Sequence, residues 1–101
     1  MNTALVTKAE KSVFIEGHLW FDKSGGNTYF SNRVWVDGKV AFQMGLEYGY
    51  DLQYMNRALQ ELKDRGYTNT ARAYELRDEQ GINLYHVAIY GKKNELFKEM
   101  N

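Results

Sequence analysis

The chain has 101 residues, with thirteen basic and thirteen acidic side chains and neither cysteine nor proline. The balanced charge excludes a strong overall field that would steer the protein onto nucleic acid or an anionic membrane. Without cysteine there are neither disulfides nor thiolate metal ligands, which agrees with a reducing cytoplasm. No apolar run approaches the roughly 18 residues of a membrane span. We therefore expect one domain, residues 1–101, that acts in the cytoplasm without a cofactor, a metal or a membrane.

Three β-strands and two turns are predicted near the start of the chain. Residues 12–21 alternate apolar and polar side chains with a period of two, as is typical of a half-buried strand. Residues 22–27, Asp-Lys-Ser-Gly-Gly-Asn, favour a turn. A second strand follows from about Thr28 to Trp35, Asp37-Gly38 turns the chain again, and Val40 to Met44 return. The first eight residues of the chain, which lack the apolar core of a signal peptide, are expected to form a loose lead-in or a short extra strand.

The second turn allows two registers. A two-residue Asp37-Gly38 loop of type I′ would place Val34 opposite Ala41. A three-residue loop of residues 36–38 would pair Val34 with Val40, and we prefer it because it gathers the aliphatic side chains on one face. This predicted core face consists of Val13, Ile15, Leu19, Phe21, Phe30, Val34, Val40, Phe42 and Met44.

The opposite face of this predicted sheet is the main candidate for binding. It would carry His18, Trp20, Tyr29, Arg33, Trp35 and Lys39. Tryptophan, tyrosine and arginine dominate binding hot spots, and the same mixture can stack bases and contact phosphates. The alternative is that the helices or another subunit cover this face and make it a second core layer. A neutral net charge counts against nucleic acid, so a protein partner or self-association as a homodimer is the first expectation.

The second half of the chain predicts two helices and a strand. Asp51 is a candidate N-cap for a helix that continues to about Arg65, and Gly66 fits its C′ position. The predicted buried stripe of this helix consists of Leu52, Met55, Leu59 and Leu62, with Ala58 beside it. Tyr50 and Tyr54 lie at its start and could rim a pocket with the sheet aromatics. The alternative, which we favour, is that these rings pack the helix against the sheet.

A second helix is predicted over residues 68–80, a strand over Ile82 to Tyr90, and a short helix over residues 94–100. Apolar residues on both sides of that strand predict that it is flanked rather than an open edge. The predicted fold is α+β: a three-stranded antiparallel meander, two helices, a further strand that joins the sheet, and a short C-terminal helix.

Residues 20–29, Trp-Phe-Asp-Lys-Ser-Gly-Gly-Asn-Thr-Tyr, carry a family resemblance. Followed by Val34, they resemble a family of small uncharacterised proteins from bacteriophages and mobile elements, with the pattern W-F-x-K-x-x-G-N-T-Y. Residues 48–54 and 81–85 are similar to the middle and end of that family, and the likeness fades after Tyr90. The chain departs from the pattern at residues 51–52, where a glycine and an acidic residue are expected.

The resemblance implies no catalytic residues. It implies a phage or prophage origin and a small accessory or host-directed role in the host cytoplasm. Proteins of this size and source often bind host components, including defence machinery.

An enzymatic function has little support in the sequence. His18 and His86 are the two histidines, and they lack the spacing of a metal-binding pair one helical turn apart. Two histidines and a lysine could cleave RNA by general acid–base catalysis, but a strand histidine is more often structural. The sequence thus favours a non-enzymatic binding protein, with a single-stranded nucleic-acid-binding module as the alternative and a small nuclease after it.

Overall fold

The computed structural model describes residues 11–78 and 80–98. This part of the chain is a small α+β domain in which two helices accompany a four-stranded mixed sheet. In chain order, the elements are β1 (Lys11–Asp22), β2 (Asn27–Val36), β3 (Lys39–Tyr48), α1 (Gln53–Asp64), α2 (Ala73–Asp78), β4 (Ile82–Tyr90) and a 3₁₀ turn (Lys93–Glu95). The lead-in or extra strand predicted for the first eight residues lies outside the described residues.

The sheet has the strand order β3-β2-β1-β4. The first three strands form the predicted antiparallel meander, and β4 joins the sheet parallel to β1. The predicted bounds of β4, Ile82 to Tyr90, agree with the structure. The prediction that β4 is flanked on both sides is wrong for the described residues, because β1 is its one neighbour among their strands. Its apolar side chains therefore have a different explanation, which is developed below.

One side of the sheet, here called the inner face, packs against α1. Seven of the nine predicted core residues are buried there: Val13, Ile15, Leu19, Phe30, Val34, Phe42 and Met44. The other two are wrong. Phe21 is 51% exposed because it is the last inner-face position of β1 before the turn. Val40 is 38% exposed because the register of β3 places it on the other side of the sheet.

The β2–β3 turn has two residues, not the predicted three. Asp37 and Gly38 both have positive φ, 52° and 82°, as a type I′ turn requires. Trp35 consequently pairs with Val40, which moves Val40 to the side of the sheet opposite α1. A β-bulge follows, and its extra residue pairs Val34 with Phe42. Phe42 thus reaches the core as predicted, but by a bulge in the strand instead of a longer loop.

Helix α1 begins later than predicted and ends as predicted. Asp51 has φ 60° and does not cap the helix, since the N-cap position is Leu52 without a side-chain hydrogen bond. Leu52 is 48% exposed, so it does not belong to the buried stripe. At the other end Gly66 has φ 86°, and the N–H of Tyr67 donates to the carbonyl of Leu62 over 2.9 Å. This bond and the positive φ are typical of the Schellman motif.

The last two predicted helices are shorter in the structure. Helix α2 starts at Ala73 because threonine hydroxyls bond the preceding backbone: Thr68 donates to the carbonyl of Thr70, and Thr70 accepts from the N–H of Arg72. After β4, the predicted helix over residues 94–100 is the 3₁₀ turn at Lys93–Glu95 followed by extended chain, and its last two residues lie outside the described part.

Candidate functional site

The side of the sheet opposite α1, here called the outer face, brings five of the predicted binding residues together. Neighbours directly across a ladder share a face, and the register pairs Trp20 with Tyr29, and Glu16 with Arg33. The predicted binding residues on this face are His18, Trp20, Tyr29, Arg33 and Trp35. Their common placement follows from strict alternation along β1 and β2, whose ladder has no bulge.

Three predicted binding residues lie elsewhere. Lys39 pairs with Val36, which shares the inner face with Val13, so the two-residue turn moves Lys39 away from the tryptophans. Tyr54 is 2% exposed between α1 and the inner face, and Tyr50 is 59% exposed in the link before α1. Tyr54 cannot rim a pocket with the outer-face aromatics, because the sheet separates them. The ring of Tyr54 packs the helix against the sheet, as the favoured alternative predicts, whereas Tyr50 is too exposed to do so.

Tyr54 is held by two hydrogen bonds on the inner face. Its hydroxyl lies 2.9 Å from Nδ1 of His86, and its carbonyl accepts a 2.9 Å bond from Nδ2 of Asn32. Burial raises the pKa of the Tyr54 phenol above its usual value, and the nearby Tyr90 adds to the effect. This cluster fixes α1 on the sheet.

Hydrogen bonds between side chains fix the orientations of the residues at the centre of the outer face. Nε1 of Trp35 donates to Oε1 of Glu16 over 3.2 Å, and Nε2 of His18 lies 3.1 Å from the other oxygen of that carboxylate. Nε of Arg33 donates to Oε1 of Gln43 over 2.7 Å. Hydrogen bonds of this kind hold aromatic and guanidinium groups in one rotamer, so a partner does not have to order them on binding.

Residues 93–98, here called the terminal segment, cross part of the outer face. The ring of Phe97 lies 4.3 Å from the ring of His18, and the guanidinium carbon of Arg33 lies 4.2 Å from its centre. The N–H of Phe97 donates to Oγ of Ser31 over 2.7 Å, and Nε2 of Gln43 donates to the carbonyl of Lys98 over 3.0 Å. The face is thus covered in part by extended chain, not by the helices that the sequence suggested as its cover.

Beyond the terminal segment lies an apolar row that crosses all four strands. Phe14 pairs with Trp35 on β2 and with Tyr85 on β4, and Trp35 pairs in turn with Val40 on β3. Tyr85 is 60% exposed and Val40 is 38% exposed. The ring contacts and hydrogen bonds of the terminal segment described above do not reach this row. Tyr85 is not predicted for this row because its place depends on the parallel position of β4, and Val40 is predicted in the core because the three-residue turn is preferred.

A second row of rings closes the other end of the outer face. Trp20 and Tyr29 stack with ring centres 5.6 Å apart, and Tyr29 meets the edge of Tyr48 at 5.8 Å. Nζ of Lys93 lies 5.5 Å from the centre of the Trp20 ring, within the range of a cation–π contact. Tyr48 is 62% exposed, so one end of this row is open to a partner.

The two histidines lie on opposite sides of the sheet. His86 pairs with Ile15 of the inner face, whereas His18 is on the outer face with Glu16. A cleavage mechanism that uses both imidazoles on one scissile bond therefore has no geometric support. Across residues 11–78 and 80–98, no cluster of three or more histidine, aspartate and glutamate side chains has the arrangement of a metal site.

No known protein family, curated protein or solved structure matches this chain. The class of protein is therefore defined by fold and site: a small α+β domain with a rigid aromatic outer face that a terminal segment covers in part. Among the described helices, none is long and apolar enough to cross a membrane.

Proposed function

We propose that this chain is a non-enzymatic binding protein that recognises another protein through its outer face. The observation that carries the proposal is the apolar row of Phe14, Trp35, Tyr85 and Val40. The resemblance of residues 20–29 to phage and mobile-element proteins supports a phage origin and a partner in the host cytoplasm, including its defence machinery.

The apolar row has the composition of a protein-binding hot spot. Trp35, Phe14 and Tyr85 offer large ring surfaces on three adjacent strands, and the next row places Glu16 and Arg33 beside them. Interfaces are commonly built in this way, with aromatic anchors at the centre and polar groups at the rim. Strands position such anchors more rigidly than loops do, which lowers the entropic cost of binding.

The terminal segment supports a peptide or protein as the partner. Its residue Phe97 inserts an aromatic ring between His18 and Arg33, and its backbone is bound by Ser31 and Gln43. The outer face therefore already holds an extended peptide through side-chain hydrogen bonds and one aromatic ring. A partner that presents an aromatic residue in extended chain would use the same chemistry.

Replacing Trp35 by Ala is expected to weaken partner binding by about 2 kcal/mol or more, roughly 30-fold in affinity, because it removes the central anchor. The partner would be captured from host lysate with the tagged chain, and its affinity measured by calorimetry. Tyr74→Ala is the matched control, since Tyr74 is an exposed aromatic residue on α2. If a folded Trp35→Ala, Arg33→Ala double variant binds its partner with full affinity, the outer face is not the site.

A single-stranded nucleic-acid partner is the second candidate, and the row of Trp20, Tyr29 and Tyr48 with Lys93 favours it. Bases stack on such rings and lysine contacts the phosphates, so affinity should fall steeply between low and moderate salt. Fluorescence anisotropy with an oligothymidylate would measure it, with Tyr29→Ala expected to weaken binding and Tyr74→Ala to leave it unchanged. Absence of binding at low salt would eliminate this candidate.

A further inference from the structure

Among residues 11–78 and 80–98 no strand pairs with the outer edge of β4, here called the free edge, and this edge lacks the features by which edge strands avoid pairing with other chains. Ile82–Tyr90 is nine residues long and contains no aspartate, glutamate, lysine, arginine or proline. Its ladder with β1 runs without a register shift. Natural edge strands are usually short, bulged or guarded by charge, so an edge that is long, regular and uncharged is unusual for a surface that stays in water.

The backbone groups on this free edge can be assigned by alternation. The N–H of Gly91 donates to the carbonyl of Leu19 on β1 over 2.9 Å. Because successive strand residues direct their N–H and C=O groups to opposite sides, the odd-numbered residues of β4 face β1 and the even-numbered residues face outward. The free edge therefore presents the peptide groups of Ile82, Leu84, His86, Ala88 and Tyr90.

Apolar side chains flank this edge on both faces of the sheet. On the outer face, Tyr85, Val87 and Ile89 are 60%, 38% and 42% exposed. On the inner face, Tyr90 is 66% exposed and Ala88 is also exposed. A strand that paired with this edge would cover these side chains in addition to satisfying the backbone groups.

We propose that a second copy of this chain pairs with β4 in antiparallel orientation, about a two-fold axis at Val87. In this register His86 is opposite the partner's Ala88, and Leu84 is opposite the partner's Tyr90. The outward residues of β4 other than Ile82 then form hydrogen-bonded pairs, and the two sheets join into one sheet of eight strands. On the outer face, Tyr85 packs beside the partner's Ile89, an aromatic and β-branched pair of the favourable kind.

The occupant is a second copy because the strand is complementary to itself. An uncharged strand suits another uncharged strand, and the formal net charge of zero leaves no overall repulsion between two copies. A two-fold axis uses the same patch on both subunits, as most homodimers do. A register centred on His86 would place two imidazoles side by side and set Ile89 opposite the partner's Asn83, so the register centred on Val87 buries more apolar surface.

This dimer leaves the apolar row accessible and extends it. Tyr85 lies at the seam, where the partner's Ile89 would continue the row onto the second sheet. The inference uses the edge of the sheet and does not depend on the proposed partner at its outer face. Self-association through the aromatic residues themselves, expected from the sequence, would instead hide that row.

Single cysteines test the register, since the chain has none of its own. At a two-fold axis through Val87, the two Cα atoms of that residue lie about 4.5 Å apart, within reach of a disulfide. Val87→Cys should therefore form a covalent dimer under mild oxidation. Ile89→Cys is the matched control: its exposure is similar, but its two copies lie about 14 Å apart along the strands. Equal cross-linking of both variants, or none of Val87→Cys, overturns the proposal.

Light scattering tests the dimer without cross-linking. The unaltered chain should have twice the 11.8 kDa mass of one copy, and Ala88→Pro should return it to one copy. Proline removes an N–H that faces outward, so the ladder with β1 is kept and the circular dichroism spectrum should not change. If Ala88→Pro does not fold, Val87→Lys places a charge at the axis and should give the same monomer. A monomeric unaltered chain, or a folded variant that stays dimeric, contradicts the edge pairing.

Discussion

Replacing Asn32 by Asp is expected to lower the free energy of unfolding at neutral pH by on the order of 3–5 kcal/mol. Asn32 is fully buried on the inner face, its Nδ2 donates to the carbonyl of Tyr54, and its Oδ1 has no hydrogen-bond partner among the described residues. Aspartate would place a carboxylate next to the carbonyl of Tyr54, and this carboxylate would be buried without a cation beside it. An uncompensated buried charge costs on the order of 3–5 kcal/mol, against a total stability of roughly 5–15 kcal/mol.

The pH dependence of stability distinguishes the effect of charge from the effect of side-chain packing in this variant. Burial raises the pKa of the new carboxyl in the folded state above its unfolded value of about 3.9, so the folded state holds the proton to higher pH. The variant is then closest to the parent below the unfolded pKa and loses stability as the pH rises through the folded pKa. Urea unfolding of parent and variant at matched pH values would measure the difference.

Asn32→Leu is the matched control, because leucine has a similar volume and no charge. Its unfolding free energy should differ from that of the parent by an amount that does not change with pH in the acidic range. It should also be more stable than Asn32→Asp at neutral pH, since it removes the buried Oδ1 of Asn32 together with the donor. Equal losses in the two variants at all pH values would mean that packing, not charge, dominates at this position.

Local alternation makes the meander predictable. In β1 and β2 the side chains follow a period of two without interruption, so the amino-acid pattern alone assigns Ile15, Val34 and Trp20 to their correct faces. Glycine at the helix end is equally informative, since Gly66 adopts the left-handed conformation that few other residues tolerate. Both signals depend only on neighbours in the sequence.

The features that the sequence does not predict depend on contacts between distant residues. The length of the β2–β3 turn decides the faces of Lys39 and Val40, and the bulge after Val40, which nothing within the strand indicates, returns Phe42 to the core. The parallel docking of β4 beside β1 places Tyr85 next to Phe14, across a separation in sequence that no local pattern reports. Phe97 reaches the outer face in the same way, through bonds from residues on β2 and β3. The candidate site is therefore half predictable: the five binding residues on β1 and β2 follow from alternation, and the positions of Tyr85, Val40 and Phe97 do not.

At Gly17, too, the effect of a substitution depends on a residue distant in the sequence. This position gives the second large prediction. A glycine in mid-strand normally weakens the strand, so Gly17→Ala would ordinarily stabilise the protein. Here a Cβ at Gly17 would lie 2.7 Å from Cγ and 2.9 Å from Cε2 of Tyr54, and closer still to Cδ2. The ring has little room to retreat, because Tyr54 is 2% exposed and its hydroxyl is bonded to His86. We expect Gly17→Ala to lose on the order of 1–3 kcal/mol of stability.

A double-mutant cycle assigns this loss to the ring. Tyr54→Ala alone should cost roughly 3–5 kcal/mol, as deletion of a buried aromatic side chain does. In that background the overlap is gone, so Gly17→Ala should become neutral or stabilise by about 0.4–1 kcal/mol through the unfolded chain. The reversal of sign is the diagnostic result, measured by urea unfolding of all four proteins. A loss that persisted without the Tyr54 ring would mean that the backbone of β1 itself requires glycine at this position, and that the ring is not the cause.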